Sequence, residues 1–118
     1  MLGLQKSPRF LISRGENANG WYEIYSDGFK RIGQIYGDNN PLIASNPGYG
    51  ANVSYPIPLT SRILSITTSI NGRLTGGAEV LNYAEPQLSS ITLAAASSHA
   101  TKLEPLSPIK GSWVVEGY

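Results

Sequence analysis

Hydrophobic and polar positions alternate in short runs along this chain, and no run keeps a convincing helical period. The clearest segment is WYEIYSDGFKRIGQIYG, Trp21 to Gly37. Aromatic and β-branched residues flank an Asp27-Gly28 pair, a pattern that predicts a hairpin with a two-residue type I′ turn. That turn sets Ser26 opposite Phe29, Tyr25 opposite Lys30, Ile24 opposite Arg31 and Glu23 opposite Ile32. Alternation then puts Tyr22, Ile24, Phe29 and Ile35 on one face. Trp21, Tyr25, Ile32 and Tyr36 share the other face with Glu23 and Lys30. Both faces are therefore amphipathic, whereas an antiparallel sheet commonly has one apolar and one polar side.

The same reading extends along the chain. Phe10–Ile12 is a short apolar run and a candidate strand, and Gly15–Gly20 (GENANG) reads as a turn. Residues 37–52 are loop-like, with Asn40-Pro41 and Asn46-Pro47 as turn initiators. Ser54–Leu59 can be extended but not central in a sheet, because Pro56 and Pro58 have no N–H to donate. Arg62–Ile70 alternates, with Leu64, Ile66, Thr68 and Ile70 on one face. Ala78–Tyr83 and Ser90–Ala95 read as strands around a Glu85-Pro86 turn. Residues 99–110 look irregular, and Ser112–Tyr118 is a final strand. Leu93–Leu103 tolerates a helix, yet its Ser and Thr content favours strand plus loop. Six or seven short strands with regular turn signals predict an all-β antiparallel β-sandwich.

Composition narrows the function classes. A chain of 118 residues is one domain by length. It has no Cys, which excludes disulfides and thiolate chemistry. A net charge of +1 with 14% charged residues gives no electrostatic footprint for nucleic acid. No apolar run reaches the ~20 residues of a helical span, so no membrane insertion is expected. The first ten residues, MLGLQKSPRF, contain no signal-peptide core.

Catalytic motifs are equally thin. Glycoside hydrolysis needs two carboxylates held across a sugar, and the eight acids form no close pair in sequence. His99, the single histidine, reads as a loop residue, with a metal shared on a three-fold axis as its one special possibility. Gly72, Gly76 and Gly77 lack the context of a phosphate loop. No metal and no cofactor is expected. The better signal is aromatic rings beside polar loops. Tyr36, Tyr49 and Tyr55, with Asp38, Asn39, Asn40 and Asn46, are the candidate ligand-binding residues. Flat ring faces stack on sugar C–H groups and amides satisfy hydroxyls. Loop 37–52 is the first candidate region, followed by 71–77 and 97–102.

Several segments, in order, resemble the C-terminal domains of bacteriophage tail fibres. NGWYEIYSDGFKRIGQ is similar to their W-Y-x-[VI]-[YW]-S-D-G segment, and VSYPIPLTSRILSITTS to a later V-T-F-P-x-x-F…L-S-V segment. GSWVVEGY resembles their closing aromatic strand, and LGLQ the phrase that leads into them. Leu59, Glu116 and the Lys30-Arg31 pair depart from the pattern. The resemblance implies a homotrimeric β-sandwich tip at the distal end of a phage or tailocin fibre. It implies residues 1–19 as a lead-in from the shaft and 20–118 as the tip domain. The implied partner is a bacterial cell-surface receptor, a lipopolysaccharide sugar or an outer-membrane protein, with no enzymatic activity. The implied setting is the virion, after synthesis in the host cytoplasm. A trimer would let Trp21, Tyr25 and Ile32 meet a neighbouring chain. Two other readings are a structural trimerisation cap and, on weaker grounds, a polysaccharide-degrading enzyme.

Overall fold

A computed structural model describes residues 8–42, 51–70, 79–97 and 110–118. Eight strands are formed: β1 Leu11–Asn17, β2 Gly20–Tyr25, β3 Lys30–Tyr36, β4 Ala51–Ser54, β5 Ile63–Ile70, β6 Glu79–Ala84, β7 Ser90–Ser97 and β8 Gly111–Gly117. No helix occurs among the described residues. The strands make a five-stranded sheet, β1-β2-β3-β8-β5, and a three-stranded sheet, β4-β7-β6. Every pairing is antiparallel. The expected all-β class is therefore present, with β4 as a strand that the Pro- and Gly-rich pattern around it concealed. β1 runs through residues read as a turn, and it pairs along β2 as an edge of the larger sheet.

One core joins the sheets. Ile32, Trp113 and Val115 come from the larger sheet, and Leu81, Ile91 and Leu93 from the smaller. Leu42, Tyr55 and Leu59 fill in from the connecting segments. Burying each large apolar side chain contributes about 1.5–3 kcal/mol. Two polar links fasten the layers at their margins. Thr68 Oγ1 donates to the Leu81 carbonyl at 2.5 Å, and Asn17 Nδ2 donates to the Pro56 carbonyl at 2.9 Å.

The β2–β3 hairpin differs from its expected register by one residue. Its loop has three residues, Ser26-Asp27-Gly28, because the Tyr25 N–H donates to the Phe29 carbonyl at 2.8 Å. Gly28 takes the left-handed conformation, φ 89°, that such a loop needs. Ile24 consequently faces Lys30, Glu23 faces Arg31, Tyr22 faces Ile32 and Trp21 faces Gly33. A one-residue shift exchanges the faces of one strand against the other. Ile32 thus joins Tyr22 on the core side and is fully buried within its own chain. It needs no neighbouring chain for cover. Trp21, Glu23, Tyr25, Phe29 and Arg31 share the outer side.

Strand β8 explains the packing of the larger sheet. It lies between β3 and β5. Gly111, Trp113, Val115 and Gly117 are buried, while Ser112, Val114 and Glu116 are only partly so. In β5 a bulge between Ile63 and Ser65 interrupts the alternation. Ile63, Ile66 and Ile70 then pack on the core, while Leu64 points outward at 52% exposure. The expected grouping of Leu64 with Ile66, Thr68 and Ile70 fails at that one position.

Candidate recognition groove

Where the β1–β2 turn, the end of β3 and edge strand β4 converge, they enclose a groove of about 360 Å³. Its amide donors and acceptors are Asn19 in the turn, Gln34 on β3 and Asn52 on β4. Tyr36 and Ser54 add hydroxyls, and Ala18, Leu42 and Val53 add apolar surface. None of the described lining residues carries a charge. Gln34 Oε1 accepts the Ile35 N–H at 3.0 Å, which leaves the amide NH₂ to donate elsewhere. Tyr36 Oη accepts Trp113 Nε1–H at 3.0 Å and keeps its own proton as a donor. Burial pushes the Tyr36 hydroxyl pKa up, partly opposed by the Trp113 hydrogen bond. The phenol therefore stays protonated through the neutral range. Such a lining suits an uncharged, hydroxyl-rich surface with small apolar patches.

Of the expected ligand residues that are described, Tyr36 alone lines this groove. Asn40 builds the adjoining turn: its Oδ1 accepts the Gly37 N–H at 3.1 Å, and its Nδ2 donates to the Ile35 carbonyl at 2.8 Å. Asp38 is 86% exposed at its side chain and pairs with Lys110 Nζ at 2.9 Å. Asn39 is exposed beside it. Tyr55 is not the ring beside a loop, open to a ligand, that its sequence context implied. It is 5% exposed and packs on Trp113 with ring centroids 5.6 Å apart. The Pro-flanked segment that holds it turns inward across the core. Asn46 and Tyr49 lie outside the described residues, as do His99 and the 71–77 loop, and of the 97–102 region only Ser97, at the end of β7, is described. No group of metal-ligating side chains occurs among the described residues.

Asn19 and Gln34 escaped the sequence reading because they belong to elements whose meeting with β4 is a matter of tertiary structure, whereas Asn52 lay at the end of the first candidate region, 37–52, without being singled out. Asn52 carried a weak signal as a polar residue alternating with Ala51 and Val53.

No protein-family model matches the chain, and no curated protein matches its sequence. A solved structure of an N-truncated R2-type pyocin tail fibre superposes on it with a TM-score of 0.62, covering 97% of this chain at 11% identity. The fold is tail-fibre-like. The chain spans 39% of the length of that pyocin fibre fragment. At this identity the likeness concerns the two-sheet architecture, and the groove residues stand on their own geometry.

Proposed function

We propose that this chain is the receptor-binding tip of a phage or tailocin tail fibre. In this reading it attaches the particle to a bacterial surface sugar or outer-membrane protein. It works as a homotrimeric β-sandwich at the distal end of the fibre, in the virion, and has no enzymatic activity. The observation that carries the reading is the tail-fibre-like fold across 97% of the chain. The amide-lined groove, whose described lining residues carry no charge, supports it as a place for receptor contact. Three tips on one fibre multiply weak contacts, and linked sites gain about 10²–10⁴ in avidity.

Adsorption tests the reading. Fluorescently labelled protein is expected to decorate strains sensitive to the parent particle, to sediment as a trimer and to release no reducing sugar. Asn52→Ala with Gln34→Ala is expected to weaken decoration by roughly tenfold at unchanged Tm, given about 0.5–1.5 kcal/mol per hydrogen bond. A trimer that decorates no sensitive strain would leave the chain as a structural cap. A monomer at micromolar concentration would count against the fibre reading itself.

A further inference from the structure

We infer that the outer side of β2 carries a second ligand site, in which Trp21 is the platform for a neutral sugar ring. The site is separate from the amide groove, whose β3 residues Gln34 and Tyr36 alternate with those of the outer side. Cross-strand partners project to the same side of a sheet. Register therefore sets two outer rows, Arg14–Glu23–Arg31–Glu116 and Glu16–Trp21–Gly33–Val114. Arg14, Glu16, Trp21, Glu23 and Arg31 together line a depression of about 520 Å³. That volume falls within the ~300–1,000 Å³ of small-ligand sites.

Gly33 shapes the platform. A Cβ there would lie 2.8 Å and 3.0 Å from Trp21 Cζ2 and Cε2, so the indole rests across bare backbone. Seated in this way and only half-buried, the indole borders the depression. A flat π-face beside hydrogen-bonding side chains suits the C–H face of a sugar ring.

The charges argue for a neutral ligand. Two arginines and two glutamates are among the described residues that line the depression, so neither sign of charge dominates its lining. Arg31 is held from both sides, by Glu23 at 3.2 Å and Glu116 at 2.9 Å. Tyr25 Oη donates to Glu23 at 3.0 Å. This network holds the Arg31 guanidinium over the indole ring, 5.8 Å from its centroid. Arg14 and Glu16 stand exposed at i and i+2 on edge strand β1, with no ion-pair partner among the described residues. A guanidinium and a carboxylate so placed offer a donor fork and an acceptor pair to adjacent hydroxyls. An anionic or cationic ligand would meet repulsion from one of them. If Trp21 only covered Gly33, neither Arg14 nor Glu16 would respond to a sugar.

Indole fluorescence reads this directly. The chain has two tryptophans, and Trp113 is fully buried, so acrylamide quenching reports Trp21. The intact chain is titrated with the methyl glycosides of glucose, mannose, rhamnose and N-acetylglucosamine, and with methyl glucuronide. At least one neutral glycoside is expected to protect Trp21 saturably, and more strongly than the glucuronide. Arg14→Ala and Glu16→Gln, both at exposed positions, are each expected to raise the apparent Kd about fivefold or more at unchanged Tm. Three results would each overturn the inference: no protection up to the solubility of any neutral glycoside, protection unaltered in both variants, or a Trp21 that acrylamide never reaches. Adsorption of Asn52 and Gln34 variants reads the other groove, so either site can fail alone.

Discussion

Tyr36 and Tyr55 show how a single side chain changes meaning once packed. Both looked like loop aromatics, because each stands within a few residues of Pro, Gly or Asn. Their partners were invisible at that range: Trp113 lies 77 residues from Tyr36 and stacks on Tyr55 from the far end of the chain. Tyr55 Oη is buried and has no hydrogen-bond partner among the described residues. An unsatisfied buried hydroxyl costs about 1–3 kcal/mol. Tyr55→Phe is therefore expected to stabilise the protein by about 1 kcal/mol at neutral pH, raising Tm by a few degrees. Burial also pushes the Tyr55 pKa up to about 12. Between pH 10 and 12 the unfolded chain releases this proton while the folded chain retains it, so stability falls as pH rises through that window. The loss amounts to roughly 2–3 kcal/mol and is absent below pH 10. Thermal melts of wild type and Tyr55→Phe should diverge there, and parallel curves would contradict this account.

At the scale of elements, turn chemistry and alternation located most strands; Gly-, Asn- and Pro-rich sequence hid β4 and the second half of β1, and the errors of register came from insertions of one residue. An Asp-Gly pair serves both a two-residue loop and the third position of a three-residue loop. Nothing in Ser26-Asp27-Gly28 separates these options, yet the choice decides whether Ile32 or Arg31 enters the core. The bulge at Ile63–Ser65 is a second case, and it exposes Leu64. The observed hairpin loop is held by a cluster from distant segments. Asp27 Oδ2 receives Arg9 Nη2 at 2.9 Å and Tyr118 Oη at 3.1 Å, while its Oδ1 accepts the Phe29 N–H at 3.2 Å. The Arg9 guanidinium lies 4.0 Å over the Phe29 ring. Partial desolvation pulls the Asp27 pKa up, but hydrogen bonds from Arg9, the Phe29 N–H and Tyr118 outweigh it and leave it lowered. Its contribution to stability is present above the ordinary carboxylate range and is lost as pH falls through the lowered value. Asp27→Asn keeps the turn bond to Phe29 and removes this acid-side dependence. Melting curves between pH 2 and 5 should be flatter for the variant, and an unchanged slope would show that Asp27 is not involved.

For the whole molecule, the sequence announced the class and withheld the partition into sheets. Strand pairing between residues 75 to 87 apart, as in β3 and β8, leaves no local trace, so neither the 5 + 3 division nor the groove between its margins could be anticipated. The same topology makes the final strand indispensable. Trp113 and Val115 are fully buried, and β8 bonds to neighbours along both edges. The Tyr118 carbonyl oxygen then accepts the N–H groups of Thr60 and Ser61 at 2.8 and 2.7 Å. A chain ending at residue 110 is expected to lack cooperative melting and near-ultraviolet dichroism. Retention of both would mean that the core closes without β8.

The interior place of β8 also sets a schedule for synthesis. About 40 residues separate the end of β5 from the start of β8, so at ~5–20 residues per second β5 waits roughly 2–8 s, and β3 about twice as long, for the strand between them. During that interval each presents an open edge that any extended segment can occupy, including one from another nascent chain. Yield in a cell is thus governed by how crowded those seconds are: slower initiation or lower temperature should favour soluble protein, through partner choice rather than through native stability.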